Sequence, residues 1–542
     1  MRERSCTEWF ELFEKKSFLS NLKRIYGNSE LVKERKDFIL KVLKKFAFHF
    51  GEEEKVAIVR VPSRVNIMGV HIEHRGCYVN YLTIQKEIIT VASKRTDDKI
   101  RGFNIDGRFR PFSFSIKALL PPERRGNWLK FISESKISPG NWANYIKGPI
   151  LRLQDFVRKE LSGMDLVIGG NIPQGSGLSS SSALVVASAL TSTAFNNLNL
   201  SKENLVRLCG EAEWYVGTRG GAGDHAAMLF GKKGYISHLR FFPFIVENVP
   251  LPSNYTIVIC NSLKKAPKSK EARDVYNRTI ANYEISLKLI KKNYPELSKK
   301  INYLRDVNKE NLKVMEIKIY EILKSLPQRI KRKELLKVFP EQEMRKLFST
   351  HSEPEDGYRP RGVALFALAE CERSKITSEL FKKKNGIKEL GKLMYISHNG
   401  DRVVSFDKNG KKSFYEREVT DEYLEKLCKN LKDKKVVRSH SPSEASHPER
   451  SRRNKAQILF QPGDFRCSCE ELDELVDISK RIRGVIGASL TGAGFGGAIV
   501  VLVRNREVKG FLREIGEKYY QAKGLPFAAE ICISTAGAGI LN

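Results

Sequence analysis

The chain has 542 residues, 41% hydrophobic and 29% charged, enough to bury a large core and divide into two or three domains. No apolar run approaches the roughly 18–20 residues that cross a bilayer, and Met1-Arg-Glu-Arg-Ser-Cys-Thr-Glu8 has no apolar signal core, so a soluble cytoplasmic protein with no membrane contact is expected. Lys and Arg number 95 against 63 Asp and Glu, a net charge of +32, but much of the excess is lysine scattered along amphipathic stretches such as 287–346, a solvated face that does not call for nucleic acid as a partner.

In chain order, Leu31, Phe38, Val42, Leu43 and Phe46 have the spacing of an amphipathic helix over 30–50, and Val56-Ala-Ile-Val-Arg-Val61 reads as a strand. A turn-rich stretch is expected from Pro62 to Gly76. It carries Arg64, whose fork of donors suits a phosphoryl group, and His71 and Glu73, polar edges of the kind sugar hydroxyls require. Asn80 to Ser93 is apolar and β-branched and reads as a pairing strand, so the first half is α+β.

Asp165-Leu-Val-Ile-Gly169 then leads into Pro173-Gln-Gly-Ser-Gly-Leu-Ser-Ser-Ser-Ser-Ala183. Gly175 and Gly177 let the backbone approach an anion, and a helix starting near Ser180 would aim unpaired N–H groups and its positive dipole end at it. The Gly-Lys-Ser/Thr ending of a Walker loop is missing. Glu213-Trp-Tyr-Val-Gly-Thr-Arg-Gly-Gly-Ala-Gly-Asp-His225 reads as a helix end entering a glycine-rich turn that closes on Asp224, a carboxylate able to accept a hydroxyl proton.

Tyr255 to Cys260 and Gly497 to Val503 read as buried strands of a second layer, and Lys270 to Leu347 as helical. The polar stretch Lys432 to Lys455 reads as a disordered insertion; its His440 and His447, with His398 upstream, read as solvated loop histidines. The nine cysteines, an odd number without a Cys-x-x-Cys, make no disulfide framework and read mostly as small buried hydrophobes. Cys467 and Cys469 would share one strand face, with no His or Cys cluster beside them to complete a metal site. Ser468-Cys-Glu-Glu471 has the form of a capping box for a helix burying Leu472, Leu475, Val476 and Ile482. Leu490-Thr-Gly-Ala-Gly-Phe-Gly-Gly497 is a second glycine loop, able to approach nucleotide phosphates or brace the first.

Together and in this order, the motifs resemble the GHMP kinase superfamily, and within it the galactokinase branch, from about residue 30 to the C-terminus. Tyr276-Asn-Arg278, Cys467-Ser-Cys-Glu-Glu-Leu-Asp473 and Gly487-Ala-Ser-Leu-Thr-Gly492 stand where galactokinases carry similar strings. The resemblance implies an α+β, two-domain fold: a ribosomal-protein-like α/β domain over 1–250, a ferredoxin-like α/β domain over 251–542, and an active site between them. It implies ATP and Mg²⁺, with Gly175, Ser176, Gly177, Leu178, Ser179, Ser180, Ser181, Ser182, Gly492 and Gly494 at the phosphates and Ser181 and Glu213 on the metal. Asp224 would take or orient the anomeric hydroxyl, and Arg64 would keep that carboxylate ionised and stabilise the transferring group. Asn66, Val70, His71, Glu73, Arg219, Gly221 and Tyr276 would surround the sugar, in a monomer or weak dimer.

Galactokinases usually carry Gly-Glu-His-Thr-Asp-Tyr where this chain has Gly69-Val-His-Ile-Glu-His74. Val70 replaces the acid that faces the sugar's C6 hydroxyl, removing a hydrogen bond to galactose and also a repulsion toward a C6 carboxylate; plant galacturonokinase looks similar here. Arg219 is either a bidentate partner for such a carboxylate or a solvent-facing turn residue. The usual Met-Asp-Gln is Gly223-Asp-His225. The expected function is that of an ATP-dependent sugar 1-kinase acting on galactose or a related sugar. A galacturonate 1-kinase is the alternative, and a non-catalytic sensor of sugar and ATP is the reading from another class.

Overall fold

The computed structural model describes residues 3–217, 220–265, 270–432 and 455–542, without the side chains of 270–273 and 276. The strands are β1 (Arg4–Ser5), β2 (Lys55–Met68), β3 (Tyr78–Lys94), β4 (Lys99–Asn104), β5 (Phe112–Ser115), β6 (Met164–Gly170), β7 (Tyr235–Arg240) and β8 (Ile245–Pro250). They continue with β9 (Tyr255–Asn261), the hairpin β10 (Val404–Phe406) and β11 (Lys412–Phe414), β12 (Val485–Thr491), β13 (Ala498–Arg504), β14 (Ala529–Ile531) and β15 (Gly539–Ile540).

The first sheet has nine strands, with the path β1-β2-β3-β6-β4-β5, β7 paired to β3 and β8, and β15 returning to β2. Its centre is apolar on both faces because both are covered. Val56, Ile58, Ile89 and Val91 face a core made with the helices Cys6–Glu14, Lys16–Tyr26 and Ser29–Phe50. The alternate residues Ala57, Val59 and Val61 face the main core, where the helix Ser180–Phe195 packs on β2 and β3. The second sheet, β12-β13-β9-β14, is antiparallel throughout; the helices Glu470–Arg481 and Val508–Ile515 bury Leu472, Leu475, Val476 and Phe511 against it. Among the described residues no helix is long and apolar enough to cross a membrane.

Several expectations are corrected. The stretch after Val61 is strand as far as Met68, with the register shifting between Pro62 and Ser63: a bulge tolerates a proline that cannot donate to the ladder. The turn is confined to 69–77. Ser468 does not cap the helix Glu470–Arg481, whose N-cap is Cys469 without a side-chain bond; the Ser468 hydroxyl instead donates to Asp473 at 2.6 Å. Cys467 and Cys469 therefore lie in a non-strand segment before that helix. Cys77 and Cys371 are joined in a disulfide, with the other seven cysteines free. His398 is no loop residue: it is buried in the helix Gly386–Asp401, its Nε2 3.1 Å from Asp473. The expected insertion, with His440 and His447, lies almost wholly outside the described residues.

One buried knot joins the two ends of the chain to the first sheet. Glu87 accepts from Arg60 Nε at 2.5 Å and from the Tyr26 hydroxyl at 2.9 Å. The same guanidinium donates to the carbonyls of Ala536 and Gly537 and to the Thr535 hydroxyl. Glu87 is 0% exposed and Arg60 1%. Glu87→Ala leaves Arg60 buried and unpaired, and we expect a loss of about 3–5 kcal/mol, read as a fall in the urea midpoint.

Candidate active site

The two glycine loops lie backbone against backbone. A Cβ on Gly177 would stand 2.6 Å from the Thr491 carbonyl oxygen, and one on Gly492 would stand 2.6 Å from that of Gly177. Both glycines have positive φ, +75° and +89°, so the contact and the conformation each exclude a side chain. On Gly494 a Cβ would meet the carbonyl oxygen of Cys467 at 2.0 Å. The second loop thus braces the first. Beyond it the helix Ser180–Phe195 begins at Ser179, which is left-handed and offers no side-chain cap, so the first-turn amides are open to an anion in the cleft.

β2 delivers Arg64 to this point. Its guanidinium holds Asp224 as a fork, Nε to Oδ1 at 2.6 Å and Nη2 to Oδ2 at 2.7 Å, while Nη1 donates to the Gly177 carbonyl at 2.8 Å. The Ser179 hydroxyl donates to Asp224 and accepts from Arg64. Asp224 stands in the first turn of the helix Gly223–Phe230, and its side chain is 27% exposed. Burial works to raise its pKa, but the Arg64 charge and hydrogen bonds, with that of Ser179, hold it below the ordinary aspartate value.

Glu213, the last residue of the helix Lys202–Glu213, is the second carboxylate; burial lifts its pKa above the usual range. It accepts from the Ser182 hydroxyl at 2.8 Å. The serine that meets Glu213 is therefore Ser182 rather than Ser181, which lines the same cleft: successive residues at a helix start point about 100° apart, so one faces Glu213 and its neighbour does not.

Glu73 begins a 3-10 turn and packs into the glycine-rich segment, where a Cβ on Gly221 would lie 2.6 Å from its Cγ. This contact brings the 69–74 turn against the chain that carries Asp224. Burial works to raise the Glu73 pKa and the neighbouring His74 imidazole, 3.9 Å away, to lower it, leaving it below the ordinary glutamate value. Asn66 is buried with its Oδ1 unpartnered, and Val70 is buried and apolar. His71 stacks on Phe465 at 4.5 Å and turns Nε2 to within 3.6 Å of Asp401 Oδ1; burial pushes its imidazole down to about 4, so the ring is neutral near pH 7.

Arg64, Asn66, Val70, His71, Glu73, the 175–182 loop, Glu213, Gly221, Asp224, Gly492 and Gly494 line one cleft of about 1220 Å³. Arg219 and the Tyr276 side chain lie outside the described residues. Two contributors carry no motif. Tyr81, opposite Asn66 in the β2–β3 register, places its ring 5.5 Å from the Arg64 guanidinium. The Asp274–Arg278 pair, 2.6 Å apart on the helix Lys270–Asn293, closes another wall; only the register and the Tyr276-Asn-Arg278 string point toward them.

The chain matches the model of the GHMP kinases N-terminal domain over residues 144–232, that of the GHMP kinases C-terminal domain over 444–521, and the galactokinase galactose-binding signature over 44–94. In these three segments the chain is similar to the GHMP kinases. Among curated relatives, the galactokinase of Dictyostelium discoideum is 26% identical over 93% of this chain and 91% of that protein. That of Fusobacterium nucleatum is 27% identical over 92% and 98%. The crystal structure of Lactococcus lactis galactokinase complexed with galactose superposes with a TM-score of 0.61 at 23% identity, covering 92% of this chain and 98% of that one, so the chain shares its fold. The signature covers β2, the 69–77 turn and β3, and the N-terminal model covers the serine-glycine loop, Glu213 and Asp224.

The bracing of the two loops is open to test. Gly492→Ala forces a Cβ into a left-handed position against the Gly177 carbonyl, and we expect about 1–3 kcal/mol of destabilisation, measured as a lowered Tm.

Proposed function

We propose that the protein is an ATP-dependent sugar 1-kinase of the galactokinase type, passing the γ-phosphoryl group of ATP to the anomeric hydroxyl of galactose or a related sugar. The observation that carries this reading is the Arg64–Asp224–Ser179 cluster at the meeting of the serine-glycine loop and the 69–74 turn. Asp224, kept ionised by Arg64, accepts or orients the proton of the attacking hydroxyl; Arg64, joined also to the Gly177 carbonyl, offsets charge on the transferring group. The amides at the start of the helix Ser180–Phe195 receive the phosphates, with the second loop fixing their position. Glu213 with the Ser181 and Ser182 hydroxyls is a hard oxygen donor set that suits Mg²⁺, which when bound would neutralise phosphate charge. Asn66, Glu73 and Gly221 supply the sugar side. Residues 1–250 and 251–542 as two domains, a cytoplasmic monomer or weak dimer, and sugar and ATP as its small-molecule partners belong to the same reading.

One observation keeps a second substrate in play: Val70 presents a buried apolar side chain to the cleft, with no carboxylate there to repel a uronate. A coupled assay of ADP release over a panel of sugars separates the two. Turnover of galactose with none of galacturonate removes the uronate reading; the reverse assigns it. A sensor without turnover has no chemical use for Arg64, Ser182, Glu213 and Asp224 together, and absence of ADP release with every sugar would favour it. In Asp224→Asn the base is lost while the phosphate loop stands, so kcat should fall by roughly 10²–10⁴ with ATP binding retained. Undiminished turnover would remove Asp224 from the mechanism.

A further inference from the structure

The contact that turns His71 toward Asp401 belongs to a cluster whose other members, Asp401 and Cys467, the kinase reading does not use. His71, Asp401 and Cys467 are all buried, and their ligand-capable atoms lie within 4.8 Å of one another. His71 Nε2 and Asp401 Oδ2 are both buried without a hydrogen-bond partner. Asp401 is 0% exposed, and among the described residues His71 is the only basic side chain within 4.0 Å of it. The nearby carboxylate Glu370 is held by Arg373 Nε at 2.7 Å and by the Gly69 amide at 2.8 Å, and the remaining Arg373 nitrogen Nη2 makes no hydrogen bond to Asp401. An uncompensated buried polar atom is costly, and the unpartnered His71 Nε2 stands beside the Asp401 carboxylate.

We propose that His71, Asp401 and Cys467 bind a divalent transition-metal ion, Zn²⁺ by preference. Imidazole, carboxylate and thiolate form a mixed donor set that hard cations such as Mg²⁺ and Ca²⁺ do not select and that Zn²⁺ accepts. Tetrahedral Zn²⁺ places neighbouring N and O ligand atoms about 3.3–3.5 Å apart and S about 3.5 Å from either; the His71–Asp401 separation of 3.6 Å is close to this, and the Cys467 thiol lies within 4.8 Å of both. Three protein ligands leave a fourth position for water or a bound group.

The three ligands come from three segments: the 69–77 turn, the end of the helix Gly386–Asp401, and the 461–469 stretch whose Cys467 carbonyl accepts from Phe495 N at 2.6 Å. The ion would therefore fasten the 69–74 turn to the second glycine loop. Its ligands are distinct from Glu213 and Ser182, although His71 lines the same cleft.

The test uses the full chain, stripped with a chelator under a non-chelating reductant and titrated with Zn²⁺ or Co²⁺. We expect one tightly held equivalent of Zn²⁺ by elemental analysis, and with Co²⁺ a thiolate-to-metal charge-transfer band in the near ultraviolet. Cys467→Ser should abolish the band and Asp401→Asn should weaken metal binding at least tenfold, while Cys209→Ser, a buried thiol elsewhere, should change neither. A wild-type chain that retains no equivalent of either metal overturns the proposal whatever the variants do. So does a charge-transfer band that persists in Cys467→Ser. Should that variant not fold, unchanged affinity in Asp401→Asn, which keeps the thiol, overturns it equally.

Discussion

The site depends on one ion pair in which a buried guanidinium is asked to do three things at once. Arg64 holds both oxygens of Asp224, anchors the Gly177 carbonyl and meets the Ser179 hydroxyl. A planar fork with five donors can do this where a lysine could not, because its directions are fixed relative to one another. The carboxylate, the serine-glycine loop and the helix start are thereby set in a common frame before any ligand arrives. Electrostatic catalysis gains most from groups that need not reorganise.

Rigidity is then passed outward by contacts that admit no side chain. Gly177 and Gly492 meet backbone to backbone, and Gly221 yields its space to Glu73. In each case the small residue serves a neighbour: the second loop locks the first, and the glycine-rich segment before Asp224 seats the acid of the 69–74 turn. β2 and β3 supply the rest of the frame, because a sheet covered on both faces has little freedom to shift.

Legibility in the sequence follows the range of the interactions. The serine-glycine loop, the second glycine loop and the strand starts could be read from the residues because their conformations are demanded locally. Pro62 misleads at short range, since a bulge rather than a turn accommodates it. Ser468 fits a capping pattern but finds a stronger acceptor in Asp473. His398, read as solvated from its polar surroundings, is buried because the helix Gly386–Asp401 packs beside β12. The approach of His71, Asp401 and Cys467 could not be read at all, because nothing local to any one of them encodes the other two. Tyr81 likewise depends on its pairing opposite Asn66.

The return of β15 to β2 bears on how the molecule is made. Arg60 reaches the backbone of Ala536 and Gly537, and Leu541 donates to the Ile58 carbonyl at 2.9 Å, so residues near 58–60 and 535–541 complete one another across almost the whole chain. On the ribosome, the first sheet can align its central strands early. It must then hold an open edge and a half-satisfied buried arginine until residues 535–541 have been synthesised. Native order around Arg60 thus waits on residues far along the chain, and a chain cut before residue 535 would lack this seal however well its motifs were preserved.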